Sequence, residues 1–123
     1  MTPYSTLIVE DNIINATILK KLLKKLGIKA EIAKDGKEGV EIFSSGDYKL
    51  IFMDIQMPEM NGIEATRAIR KIESKTGGHV TIIACTANAK KKECLEAGMD
   101  AFIQKPVNDD MIIDAINEVK DLF

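Results

Sequence analysis

Three carboxylates hold the chemistry of this 123-residue chain: the adjacent pair Glu10-Asp11 and the distant Asp54. The run Leu7-Ile8-Val9 leads into the pair, and Lys49-Leu50-Ile51-Phe52-Met53 leads into Asp54. Short apolar runs of this kind read as buried strands. In an open α/β sheet, ligands bind in the crevice beyond the carboxyl ends of the strands. Acids delivered to two strand ends therefore point to one site. Carboxylates about 4 Å apart cost about 4 kcal/mol per pair at an effective dielectric of ~20, so a proton or a cation must offset them. A divalent ion does this and leaves an oxygen nucleophile in place.

Two further strand ends add to the set. Thr86 follows Val80–Cys85, and Lys105 follows Ala101–Ile103. A hydroxyl can donate to a phosphoryl oxygen, and an ammonium can neutralise it. The set holds no histidine base and no glycine-rich phosphate loop. It suits phosphoryl transfer onto a carboxylate, where positioning and charge compensation dominate, giving an acyl phosphate on Asp54. Each residue alone has a plainer role. Glu10 and Asp11 could favour the N-terminus of the next helix, Thr86 could close a strand, and Lys105 could be solvated. Together, at the ends of strands one, three, four and five, they favour a common site.

The elements that must position these groups alternate along the chain. Strands are expected at Thr6–Val9, Lys29–Ala33, Lys49–Asp54, Val80–Cys85 and Ala101–Ile103. Helices are expected at Asn15–Leu26, Lys37–Phe43, Ile63–Glu73, Lys90–Ala97 and Asp109–Leu122. Ile14, Ile18, Leu19, Leu22, Leu23 and Leu26 form the apolar stripe of the first helix, and Gly27 sits where a C′ residue belongs. Asn108 can cap the last helix. Strand–helix alternation gives right-handed βαβ units and a parallel sheet. Apolar strands one, three and four should be central and the short strands two and five should lie at the edges. The expected fold is therefore a flavodoxin-like, doubly wound α/β sheet of order 2-1-3-4-5 with five helices.

Length fits a single domain, 1–123. A formal net charge of −2, from 17 basic and 19 acidic residues, leaves no nucleic-acid footprint. Lys20, Lys21, Lys24, Lys25 and the run Lys90-Lys91-Lys92 read as solvated helix faces. Cys85 and Cys94 match no metal or redox spacing and read as reduced thiols of a cytoplasmic protein. Met1-Thr2-Pro3-Tyr4 has no signal-peptide character, and no apolar run is long enough to span a membrane. His79, the only histidine, lies beside Gly77-Gly78 and reads as a solvated loop residue, not a phosphodonor. Met111 and Ile113 on the last helix read as ordinary surface exposure in preference to a docking patch.

The chain resembles the receiver domains of two-component response regulators over its whole length. The matching segments are Ile8-Val9-Glu10-Asp11-Asn12, Met53-Asp54-Ile55-Gln56-Met57-Pro58, Asn61-Gly62, Thr86-Ala87-Asn88-Ala89, Ala97-Gly98-Met99-Asp100 and Lys105-Pro106. With Ile63-Glu64-Ala65-Thr66-Arg67, their wording is similar to receivers of hybrid histidine kinases. The resemblance implies that Asp54 accepts a phosphoryl group from a histidine kinase or a histidine phosphotransfer protein. It implies Mg²⁺ held by Glu10, Asp11, Asp54 and the backbone carbonyl of Gln56, with Glu10 acting through water. Thr86 and Lys105 would bind the phosphoryl group, Phe102 would be the aromatic switch partner of Thr86, and Gln56 and Asn88 would tune phosphate lifetime. The Lys105-Pro106 bond would be cis. Output would pass to a downstream protein or a fused output domain. The chain would be a switch with only self-phosphorylation and self-dephosphorylation, not an enzyme.

One departure from that pattern is the Thr86–Lys105 interval, shorter than usual by about one helical turn. It implies a shortened fourth helix. Two other chemistries fit the sequence less well. A phosphatase of the haloacid-dehalogenase type needs an Asp-x-Asp nucleophile motif, and Asp54 is followed two positions on by Gln56. A flavin module needs a hydroxyl-rich loop after strand one, where Glu10-Asp11-Asn12 would repel phosphate. A silent receiver, used only as a binding module, would not need this site.

Overall fold

Five strands alternate with five helices in the computed structural model, which describes residues 6–87 and 91–120. The strands are β1 (Thr6–Val9), β2 (Ala30–Ala33), β3 (Leu50–Asp54), β4 (Thr81–Thr86) and β5 (Ala101–Gln104). The helices are α1 (Ile13–Lys25), α2 (Gly36–Ser45), α3 (Gly62–Thr76), α4 (Lys91–Ala97) and α5 (Asp109–Val119). All strand pairs are parallel, in the order β2-β1-β3-β4-β5. This is the sheet order expected from the apolar runs. β1, β3 and β4 are buried along their whole length.

Side chains alternate across the sheet and feed two core layers. Ile8, Phe52, Ile83 and Ile103 pack under α1 and α5 with Leu23 and Ile112. Leu7, Val9, Ile51, Met53 and Ile82 pack against α2, α3 and α4 with Ile69 and Cys94. Both layers cover the sheet fully, as an all-parallel sheet requires.

Capping decides where the helices begin. The Asn12 side chain accepts from Ile14 N at 3.0 Å and Asn15 N at 3.1 Å, so α1 starts at Ile13, earlier than periodicity placed it. Asn12, and not the acidic pair, is the cap. Asp35 caps α2, Asn61 and Glu64 form a reciprocal capping box on α3, and Asn108 caps α5 as expected. Gly27 follows α1 with φ +83°, the left-handed conformation its C′ position calls for.

Two expectations for α1 are corrected. Ile14 is 67% exposed and Ile18 51% exposed, so the apolar stripe is not wholly a core face. Ala16, Leu19 and Leu23 form the buried face. At 100° per residue, Ile14 and Ile18 lie on the opposite side, and Ile13, at the first turn, is exposed as well. In the other helices Ala65 and Ile69 of α3 and Ile112, Ala115 and Val119 of α5 are buried, while Val40 and Phe43 of α2 are partly buried. α4 spans seven residues, against ten or more in each other helix. Asn88 and Lys90 lie outside the described residues.

The amino-terminal end of the sheet is tied by one guanidinium. Arg70 Nε donates to the Gly98 carbonyl at 2.9 Å. Its Nη1 donates to Glu73 at 2.6 Å and to the Val80 carbonyl at 2.8 Å, and its Nη2 to Asp100 at 3.0 Å. Asp100 also accepts from Ile82 N at 2.9 Å, and Glu73 from Val80 N. His79 lies 2.8 Å from Asp100 and is half-exposed, so it is a paired residue and not simply a solvated one. No described helix is long and apolar enough to cross a membrane.

Candidate functional site

At the carboxyl-terminal end of the sheet, parallel register brings the chemically able residues together. Glu10 directly follows β1, and its N–H donates to the Ala33 carbonyl at 3.0 Å, which holds its backbone in the sheet. Asp54 is the last residue of β3, opposite Cys85 of β4. Thr86 ends β4, where its carbonyl accepts from Lys105 N at 2.8 Å. Four neighbouring strands therefore converge on one spot.

Carboxylate oxygens of Glu10, Asp11 and Asp54 all lie within 4.8 Å of one another. Glu10 and Asp54 are 6% and 5% exposed, while Asp11 is open to solvent at the mouth. Lys105 Nζ lies 2.6 Å from Glu10 and 3.3 Å from Asp54. The Asn12 N–H donates to the second Glu10 oxygen at 3.2 Å. Three carboxylates thus face one ammonium.

That imbalance shows in the acidities. Burial, and then the Asp54 carboxylate, push Glu10 above the ordinary carboxyl range, against the opposing pull of Lys105. Burial disfavours the Lys105 ammonium, but the Glu10 and Asp54 carboxylates outweigh it and raise its pKa. The Cys85 thiol, fully buried beside the site, is pushed up to about 12 by burial, so it stays protonated and unreactive. A cluster of hard oxygen donors carrying excess negative charge fits a small divalent cation.

The remaining residues of interest are spread around this centre. Thr86 is fully buried. Phe102 of β5 is half-buried against the α2–α4 layer, opposite Ala84. Gln56 is exposed in the loop between β3 and α3. Asn88 is outside the described residues, so its expected tuning role has no geometry here. The Lys105-Pro106 bond is cis.

Sequence reasoning missed Asn12, whose position before the α1 stripe was its signal, and the close approach of Gly62 to Asp54. The Gly62 N–H donates to the Ile55 carbonyl at 3.0 Å and so closes the β3–α3 loop on itself.

Comparison with known proteins agrees with this geometry. Residues 6–117 match the family described as the response regulator receiver domain. Hybrid signal transduction histidine kinase I of Dictyostelium discoideum is 43% identical over 95% of this chain, which spans only 7% of that protein's length. Among solved structures, the receiver domain of Ssk1 from Saccharomyces cerevisiae, co-crystallised with the histidine phosphotransfer protein Ypd1, is 34% identical with a TM-score of 0.87. That match covers 98% of this chain and 92% of that one. The receiver of the Arabidopsis thaliana histidine kinase CKI1, complexed with Mg²⁺ and BeF₃⁻, is 36% identical with a TM-score of 0.83, covering 96% and 90%.

Proposed function

The chain belongs to the response-regulator receiver family, phosphoacceptor switches rather than turnover enzymes, and from that premise we propose that Asp54 receives a phosphoryl group from a partner's phosphohistidine. The observation that carries this reading is the meeting of Glu10, Asp11 and Asp54 around a single lysine. In the transfer, the phosphorus–nitrogen bond of the donor breaks as a phosphorus–oxygen bond forms to an Asp54 oxygen. The imidazole leaves with the electron pair.

Glu10, Asp11 and Asp54 would hold Mg²⁺, with the Gln56 carbonyl as a further ligand, and the ion would supply charge compensation between carboxylate and phosphoryl oxygens. Lys105 sits where its ammonium can pair with a phosphoryl oxygen in exchange for Asp54. Thr86, at the end of the neighbouring strand, would donate to another. Phosphorylation would shift an existing equilibrium toward a state with Thr86 and Phe102 drawn toward the site. Gln56 and Asn88 would set water access and hence phosphate lifetime.

The donor would be a histidine kinase or a histidine phosphotransfer protein. The Ssk1–Ypd1 relative supports this, as do the exposed apolar side chains of Ile13, Ile14 and Ile18 following Glu10 and Asp11. Residues 1–123 form one receiver domain in this reading. It works in the cytoplasm, passes its signal to a downstream protein or a fused output domain, and contacts neither nucleic acid nor membrane. A calorimetric Mg²⁺ titration tests the site. One ion should bind, and Asp11→Asn and Glu10→Gln should each weaken it by about 10-fold or more. A wild-type protein with no affinity for Mg²⁺ would overturn the assignment.

A further inference from the structure

The loop between β3 and α3 carries Gln56 and begins on Asp54, and two glycines on different helices press against it. Gly62 opens α3. A Cβ built there would lie 2.1 Å from the Asp54 carbonyl oxygen and 3.0 Å from Ile55 Cα. Gly36 opens α2, which supplies none of the site's charged groups. A Cβ there would lie 2.4 Å from the Met60 carbonyl oxygen and 3.2 Å from Met60 Cγ. Real Cβ atoms do not approach so closely, and in both places the obstacle is main chain, which no rotamer change can remove. Neither glycine has the positive φ that would explain it as a turn residue.

The loop is thus gripped on two sides. At its α3 end the Gly62 N–H holds the Ile55 carbonyl at 3.0 Å, and Asn61 with Glu64 fixes the helix start. Across its back, Met60 rests on the bare Cα of Gly36, whose own helix start is fixed by the Asp35 carboxylate accepting from Glu38 N at 2.7 Å. We propose that Gly62 and Gly36 are positioning residues, setting the main chain of Asp54 and of the loop so that the carboxylate and the Gln56 carbonyl reach one ion. The inference rests on the proposed phosphoacceptor reading. An added methyl at Gly62 pushes directly on the Asp54 peptide, while one at Gly36 pushes on Met60 and reaches Asp54 only through the loop. Displacements of about 1 Å are enough to cost large factors in reactivity.

The experiment compares wild-type protein with Gly62→Ala, Gly36→Ala and Gly27→Ala. Gly27 has φ +83° and nothing within 4 Å of an added Cβ, so alanine there strains the backbone far from the loop. For each variant, the melting temperature, the Mg²⁺ dissociation constant and the rate of phosphorylation by a small acyl phosphate are read on folded protein. All three alanines should lower the melting temperature. Gly62→Ala should also weaken Mg²⁺ binding and slow phosphorylation by about 10-fold or more, Gly36→Ala by less, and Gly27→Ala by nothing measurable. Should Gly62→Ala not fold, Gly36→Ala decides the matter alone. Wild-type constants in a folded Gly36→Ala or Gly62→Ala overturn the inference while leaving the phosphoacceptor reading intact. A wild-type protein that neither binds Mg²⁺ nor takes phosphate overturns both.

Discussion

The two ends of the sheet each gather buried charge, but in opposite balance. At the amino-terminal end, Arg70 makes four hydrogen bonds and meets two carboxylates, Glu73 and Asp100, that also accept from main-chain N–H groups. Arg70, Glu73 and Asp100 all have partners, and the cluster joins α3 to the starts of β4 and β5. At the carboxyl-terminal end, three carboxylates share one lysine, and burial with mutual repulsion raises the Glu10 pKa. A saturated cluster holds a fold together. One left short of positive charge is poised to take up a cation and a phosphoryl group, at some cost in stability until they arrive.

Removing a charge should therefore have opposite consequences at the two ends. The largest effect is expected from Arg70→Met, which strands Glu73 and Asp100. Urea denaturation should show a loss of about 3–5 kcal/mol, with the Mg²⁺ affinity of the folded fraction unchanged. Asp54→Asn should do the reverse in metal-free protein, raising stability by about 1 kcal/mol as like-charge repulsion with Glu10 falls. Saturating Mg²⁺ should erase that advantage, because the wild type gains about 2.7 kcal/mol at ~100 times its dissociation constant and the variant gains less. Equal stabilities with and without the ion would mean that the site is no more strained than the Arg70 cluster.

A smaller effect separates the ends by pH. The folded pKa of Glu10 is raised above its usual 4.5, so folding favours its protonated form. Its favourable contribution is complete below the unfolded value and is lost as pH rises through the folded one. Metal-free protein should thus melt at lower temperature as pH climbs through this mildly acid window, while Mg²⁺ affinity climbs. The slope should flatten in Asp54→Asn, where one cause of the shift is gone. The smallest effect concerns Cys85. With its thiol pushed up to about 12 by burial, alkylation in the native protein should run far slower than in denaturant. Rapid native labelling at Cys85 would show that the floor of the site opens readily.

How much of this was legible in the sequence follows the range of the forces involved. The sheet order could be read because continuous apolar runs mark buried parallel strands, and the acids could be read because they end those runs. The outward turn of Ile14 and Ile18 was not legible, since a helix rich in isoleucine and leucine carries two apolar faces and periodicity alone does not choose between them. Asn12 was passed over because the acids beside it offered an equally good reason for negative charge at a helix start. The Arg70 cluster joins residues 30 positions apart, and no local pattern announces such a meeting. Nor does sequence say that Gly36, on α2, touches a loop built by residues after β3.

The central claim is most directly tested by mass spectrometry of the wild-type protein after incubation with Mg²⁺ and a small phosphodonor. The account predicts one phosphoryl group, cleaved by hydroxylamine as an acyl phosphate is, mapping to Asp54, absent without the ion and absent in Asp54→Asn. A wild-type protein that stays unmodified, or is modified equally well in Asp54→Asn, would contradict it.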